Sequence, residues 1–132
     1  MTTATKTEAD WMISATSALT LTGWRWAHVP PTRRPASRWS DTNSGKGFPD
    51  LVCLRPPRLL WIEVKRNGYG PSPEQETWIT GLRASGQEAH ILTFPQDWDL
   101  FDSLIARDEQ LTLTGSTGAG ASWVPLTRDM ET

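Results

Sequence analysis

The chain has 132 residues, 37% of them hydrophobic and 21% charged, with a formal net charge of -2. That length suits one domain burying roughly 70% of the surface its unfolded form exposes, and the composition excludes a disordered chain and a membrane-spanning bundle. A single cysteine, Cys53, excludes an internal disulfide and any multi-cysteine zinc site, and fits a reducing compartment in which it packs as a small buried strand residue.

The first residues lack the basic-then-apolar layout of a secretory signal, so the expected location is the cytoplasm, with no membrane partner. TEADWMISATSALTLTG (7–23) reads as a helix. Thr7 can cap it, Glu8 and Asp10 occupy its first turn, Gly23 can end it, and Trp11, Ala15, Ala18 and Leu19 or Leu21 form its apolar stripe. WRWAHV then alternates as a strand does.

Residues 30–47, PPTRRPASRWSDTNSGKG, are longer than a compact domain needs for a connection, and loops of that length are usually functional or disordered. From 25 to 46 the chain carries Arg25, Arg33, Arg34, Arg38 and Lys46 against Asp41 alone, a local charge of +4, whereas residues 99–132 carry -4. Arg33, Arg34, Arg38 and Lys46 are therefore candidate phosphate contacts, and Trp39 could stack on an unpaired base. An ordinary solvated loop is the competing account.

DLVCLR and RLLWIEVK read as two strands joined through Pro56-Pro57, whose missing amides rule out a continuing ladder. With both prolines in the turn, paired residues have numbers summing to 113, so Asp50 falls opposite Glu63, with Lys65 on the same face. A slip of one residue would separate the acids. Granted that register, two carboxylates beside an amine supply hard oxygen ligands for Mg²⁺ or Mn²⁺ and a cation to meet a phosphate. The bland alternative is a turn aspartate and two charges on a solvated face; Gly45 and Gly47, which leave room for something to approach the backbone, weigh against it.

SPEQETWITGLRASG (72–86) is a second helix with Ser72 as cap, Pro73 at its first position and Gly86 beyond its end. Ser72 and Gln75 have capping-box spacing. AHILTF is a fourth strand, and DWDLFDSLIAR a third helix with Asp97 as cap. Residues 111–132 hold at most one short strand. Short connections make the first three strands antiparallel, and the second helix is long enough for a parallel crossover. The fold class is therefore α/β (α+β), a mixed central sheet flanked by helices. Trp24, Trp26, Trp61, Trp78 and Trp98 fall at core positions. His28 and His90 stand alone, without the spacing of a zinc site, and GKG (45–47) lacks the remainder of a phosphate-binding loop, so no nucleotide cofactor is expected.

GFPD, then IEVK after a short strand pair, then PEQETW and a Gly-terminated helix, resemble the PD-(D/E)XK nuclease superfamily, especially its VRR-NUC branch. The resemblance covers about residues 7–95 and implies a restriction-endonuclease-like αβββαβ core. It implies that Asp50 and Glu63 bind the metal together with the backbone carbonyl of Val64, that Lys65 is the catalytic lysine, that Glu8 lies near the metal through water, and that Gln75 supports the site. First-turn stabilisation of the helix and the capping box are the structural alternatives for Glu8 and Gln75.

The expected protein is one nuclease domain over 1–132, its core at about 7–107, followed by an acidic, Gly/Ser/Thr-rich extension over 108–132 that could cover a dimer surface. The expected activity is that of a Mg²⁺- or Mn²⁺-dependent endodeoxyribonuclease acting on branched DNA such as four-way junctions or flaps. It would act as a homodimer, with a role in recombination or replication and the host cytoplasm as its location if phage-encoded. Two other classes remain open: a non-catalytic nucleic-acid-binding module that keeps the nuclease fold, and a metal-independent protein whose hairpin acids are surface charge.

Overall fold

The structure, a computed structural model, describes residues 6–29, 45–114 and 122–126. Helix α1 (Glu8–Leu21) starts where Thr7 and Asp10 bond reciprocally: the Asp10 amide donates to Thr7 Oγ1 at 3.2 Å, and the Thr7 amide to Asp10 Oδ2 at 2.8 Å. Strand β1 (Arg25–His28) leads to the segment before β2 (Leu51–Arg55), which turns at Pro56-Pro57 into β3 (Arg58–Arg66). Helix α2 (Pro73–Ala84), strand β4 (Glu88–Phe94) and helix α3 (Trp98–Ala106) complete an αβββαβα order.

The sheet runs β1-β2-β3-β4, antiparallel between its first three strands and parallel between β3 and β4. This is the mixed α+β architecture of the restriction-endonuclease-like fold. Leu51 pairs with Ile62 and Arg55 with Arg58, so every pair in the hairpin sums to 113.

Alternation divides the sheet faces. Leu51, Cys53, Leu60, Ile62, Val64, Leu92 and Phe94 point to one side, where Ala15 and Leu19 of α1 and Phe101, Leu104 and Ile105 of α3 close the main core. Cys53 is fully buried there, and burial pushes its thiol pKa up to about 12. The other face carries α2 and a smaller aromatic cluster in which Phe48 meets Trp61 and Trp78 edge-on, at 5.7 and 4.9 Å.

Several expectations need correction. Leu19 rather than Leu21 completes the α1 stripe, since Leu21 is exposed. Trp26 is 37% exposed, because β1 is the sheet edge and its indole is covered only from the α1 side, where Nε1 donates to Thr20 Oγ1 at 2.9 Å. Asp97 precedes α3 but its side chain does not cap it; Oδ2 accepts instead from the Thr93 amide at 2.7 Å. The C-terminal region holds two strands, β5 (Leu111–Thr114) and β6 (Ser122–Pro125), in an antiparallel pair. Leu111 is buried, and Trp123 packs against the core and lies 4.7 Å from the His90 ring.

Candidate active site

The GFPD segment is held in place by apolar and backbone contacts. Phe48 is clamped between Trp61 and Trp78, Pro49 is buried, and the Val29 amide donates to the Asp50 carbonyl at 2.8 Å. Gly47 has φ +87°, and a Cβ there would lie 2.5 Å from the Glu74 carbonyl carbon and 2.7 Å from the Gln75 amide nitrogen. The space at Gly47 is thus filled by the chain's own α2 turn, not left open for a ligand. That close approach brings the start of α2 against the hairpin.

The Asp50 side chain bridges onto β3, its Oδ2 accepting from the Val64 amide at 2.8 Å. Glu63, one residue before Val64, is 1% exposed on the α2 side of the sheet. Its Oε2 accepts from Gln75 Nε2 at 2.8 Å and pairs with Lys65 Nζ at 3.1 Å. Its Oε1 is buried with no hydrogen-bond donor. Burial, reinforced by the neighbouring Asp50 carboxylate and only partly offset by Lys65, pushes the Glu63 pKa up from 4.5 to about 7. The structure therefore brings together Asp50, Glu63, Lys65 and Gln75.

Gln75 resolves the choice left open by its spacing, because an amide has two ends. Its Oε1 accepts from the Ser72 amide at 2.8 Å, closing the capping box, while Nε2 reaches Glu63. Lys46 is 78% exposed and lies 3.7 Å from Glu74 Oε1, an exposed pair worth little that leaves the ammonium open to other anions. Glu8 sits exposed in the first turn of α1, and among the described residues no group of three or more His, Cys, Asp or Glu side chains is close enough together to hold a metal directly. Arg33, Arg34, Arg38 and Trp39 lie outside the described residues.

The model of the VRR-NUC domain matches residues 4–94, more than half of the chain. The chain belongs to the VRR-NUC family. Neither the curated proteins nor the solved structures yield a match. The VRR-NUC match ends with β4, so α3 and the β5–β6 pair lie beyond it. It identifies a nuclease family, and no helix among the described residues is long and apolar enough to cross a membrane.

A second ionic cluster escaped the sequence reading. Arg58 is fully buried on the α1/α3 side and sends NH2 to both Glu88 oxygens at 2.8 Å, while NH1 bonds the Leu104 carbonyl and, at 3.1 Å, the Arg107 carbonyl. His90 Nε2 lies 2.9 Å from Glu88 Oε2, and the Leu111 amide donates to Oε1 at 3.2 Å. These residues tie the end of α3 and the start of β5 to the sheet. Glu88 lies just before the strand expected from sequence, AHILTF, and its partner stands 30 residues earlier.

Proposed function

We propose that this VRR-NUC domain is a Mg²⁺- or Mn²⁺-dependent endonuclease that hydrolyses DNA phosphodiester bonds, with branched DNA such as four-way junctions or flaps as its substrate. The observation that carries the reading is Glu63: a carboxylate buried beside a second carboxylate, with one oxygen given no donor, is costly in a protein that binds nothing there. A divalent cation fits that oxygen and the adjacent Asp50. Asp50, Glu63 and the Val64 carbonyl would hold it, with Glu8 reaching it through water. When bound, such an ion activates water and neutralises charge on the phosphoryl group.

The chain's own residues do the positioning. Gln75 and Lys65 both engage Glu63 Oε2, which leaves the buried Oε1 without a donor of its own. Lys65, 13% exposed on its side chain, has an ammonium placed to meet a phosphate oxygen as it departs from the carboxylate. Asp50 is oriented by the Val64 amide, and Glu63 by Gln75 and Lys65. The basic segment before Asp50, including Arg33, Arg34, Arg38 and Lys46, would contact the DNA backbone, and Trp39 would stack on an unpaired base. Replacing the three arginines should weaken binding and flatten its salt dependence.

A domain of this size cutting a four-way junction symmetrically would act as a homodimer with sites related by a two-fold axis. Sedimentation with and without junction DNA tests that, and a monomer in both conditions rejects it. Hydrolysis is tested on labelled linear, flapped and four-way DNA with Mg²⁺, with Mn²⁺ and with chelator, alongside Lys65→Ala. Cutting that requires metal and Lys65 is the expected result; cutting that survives both changes overturns the assignment.

A further inference from the structure

Lys65 ends the side of β3 that faces α2, and the next residue, Arg66, points to the other side of the sheet. There the end of β3 and β4 meets the start of α1 in a recess of about 240 Å³ lined by Lys6, Trp11, Arg66, Asn67, Phe94 and Pro95. Its floor is apolar: the half-buried Trp11 ring with the exposed Pro95 beside it, backed by the fully buried Phe94 ring, which stacks on Trp11 at 5.4 Å. Its rim is cationic. Lys6 Nζ lies 4.7 Å from the Trp11 ring, and the Arg66 guanidinium lies 4.3 Å from the ring of Tyr69, to whose hydroxyl it donates at 2.6 Å.

Among the described residues neither Lys6 nor Arg66 is in a salt bridge, although Lys6 lies close enough to Asp10 to help lower its pKa. The Asn67 side-chain amide is likewise unengaged among them, its backbone amide alone being used, by the Phe94 carbonyl at 2.9 Å. Two cations held against aromatic faces, an open amide and an apolar floor match one chemical class: an anionic group joined to a flat, hydrogen-bonding ring. At about 240 Å³ the recess falls just short of the roughly 300–1,000 Å³ of pockets for drug-sized ligands, so it suits a single small unit rather than a duplex.

We propose that this recess takes one unpaired nucleotide adjoining the scissile phosphate, its phosphate between Lys6 and Arg66 and its base against Trp11 and Pro95. The inference rests on the nuclease reading and deepens it. A strand crossing the end of the sheet meets Lys65 on one face and the recess, one residue later, on the other. Within a duplex the base is stacked and paired and cannot enter; at a flap or a junction it is already free, or freed at low cost. Selectivity for branched DNA would then come from a pocket for a displaced nucleotide.

The test uses the full chain in chelator, where nothing is cut, and measures anisotropy of a labelled flapped DNA and of the matching continuous duplex. In Lys6→Gln/Arg66→Gln the affinity for the flap should fall about tenfold or more, with a much smaller fall on duplex. The slope of log K against log salt on the flap should flatten by about 0.7, the value for one single-strand phosphate contact. Arg66→Lys, which keeps the charge, should recover most of the loss, and near-ultraviolet circular dichroism of the tryptophans checks that each variant is folded.

An equal loss on both DNAs, or none, overturns the subsite. Cleavage in Mn²⁺ separates this from failure of the underlying reading. If the native chain cuts nothing but its flap preference still depends on Lys6 and Arg66, the subsite stands and hydrolysis falls. If it cuts, and the double variant retains the native ratio of flap to duplex KM, the subsite falls and hydrolysis stands.

Discussion

Strand β3 carries a buried ionic cluster at each end, on opposite faces, and the two differ in how far their charges are satisfied. Near its start, the Glu88 carboxylate accepts from Arg58 through both oxygens and also meets His90 and the Leu111 amide, and only Arg58 Nε on the cation lacks a partner. Near its end, five residues or about 17 Å along the strand from Arg58, Glu63 has two donors on one oxygen and none on the other. Both glutamates are buried and both face a cation. A carboxylate with its lone pairs occupied serves as a brace, whereas one left with an open oxygen holds a place for something outside the chain.

The comparison predicts opposite losses at the two ends. Arg58→Met removes the cation that meets both Glu88 oxygens and strands the Glu88 charge in the core, so unfolding free energy should fall by about 3–5 kcal/mol, read by urea denaturation, with activity per folded molecule retained. Lys65→Ala should do the reverse. Cleavage should drop by about 10²–10³ in kcat, the scale for losing one oriented electrostatic stabiliser, while the denaturation midpoint near neutral pH falls less than in Arg58→Met, because Glu63, its pKa already pushed up to about 7, takes up a proton when the lysine is gone. A catalytic loss at Arg58 that persists in fully folded protein, or normal cleavage in Lys65→Ala, would erase the distinction.

The same two clusters show what a sequence can disclose. The Asp50–Glu63 site was legible because a two-residue proline turn sets the register of the strands it joins, and a hairpin register fixes which side chains share a face. The Arg58–Glu88 pair was not, since it spans a parallel crossover: helix α2 requires β4 to lie beside β3 but leaves the sliding of one against the other to packing. Trp26 failed for a related reason, as alternation assigns it a face without saying that its strand is the edge. The β5–β6 pair was half visible. LTLT alternates cleanly, but its partner SWVP ends in Pro125 and follows a Gly- and Ser-rich stretch that breaks the pattern.

Titration sharpens the contrast further. The Glu63 pKa is raised from 4.5 to about 7, so between those values the folded chain holds a proton that the unfolded chain has released. Stability attributable to Glu63 is therefore fully present below about pH 4.5 and is lost as pH rises through about 7, a change on the order of 3 kcal/mol. Asp10 and Glu74, whose pKa values are lowered by hydrogen bonds at helix starts, act in the opposite sense at lower pH. Denaturation in chelator from pH 4.5 to 8 should show the loss as the difference between the native chain and Glu63→Gln. A pH-independent difference would mean that Lys65 already compensates the ionised form. Since a metal needs the carboxylate deprotonated, Mn²⁺ affinity should rise across the same interval.

The smallest expected effect lies at a residue that carries no charge. Gly47 adopts φ +87° where the first turn of α2 presses against the GFPD segment, and it is this contact that seats Gln75 over Glu63. Gly47→Ala must either hold an unfavourable backbone conformation or push Glu74 and Gln75 away, at a cost of roughly 1–3 kcal/mol. If the helix start moves, Gln75 loses Glu63 and the open oxygen is no longer aimed, so kcat should fall more than the modest destabilisation accounts for at temperatures where the protein is fully folded. Gln75→Ala supplies the comparison, because it removes the same hydrogen bond without the backbone clash, though it also opens the capping box. Matching kcat deficits in the two single variants, with little added in the double, would trace the glycine's effect to the aim of Glu63. Additive deficits would show instead that Gly47 positions Asp50 independently through Phe48 and Pro49.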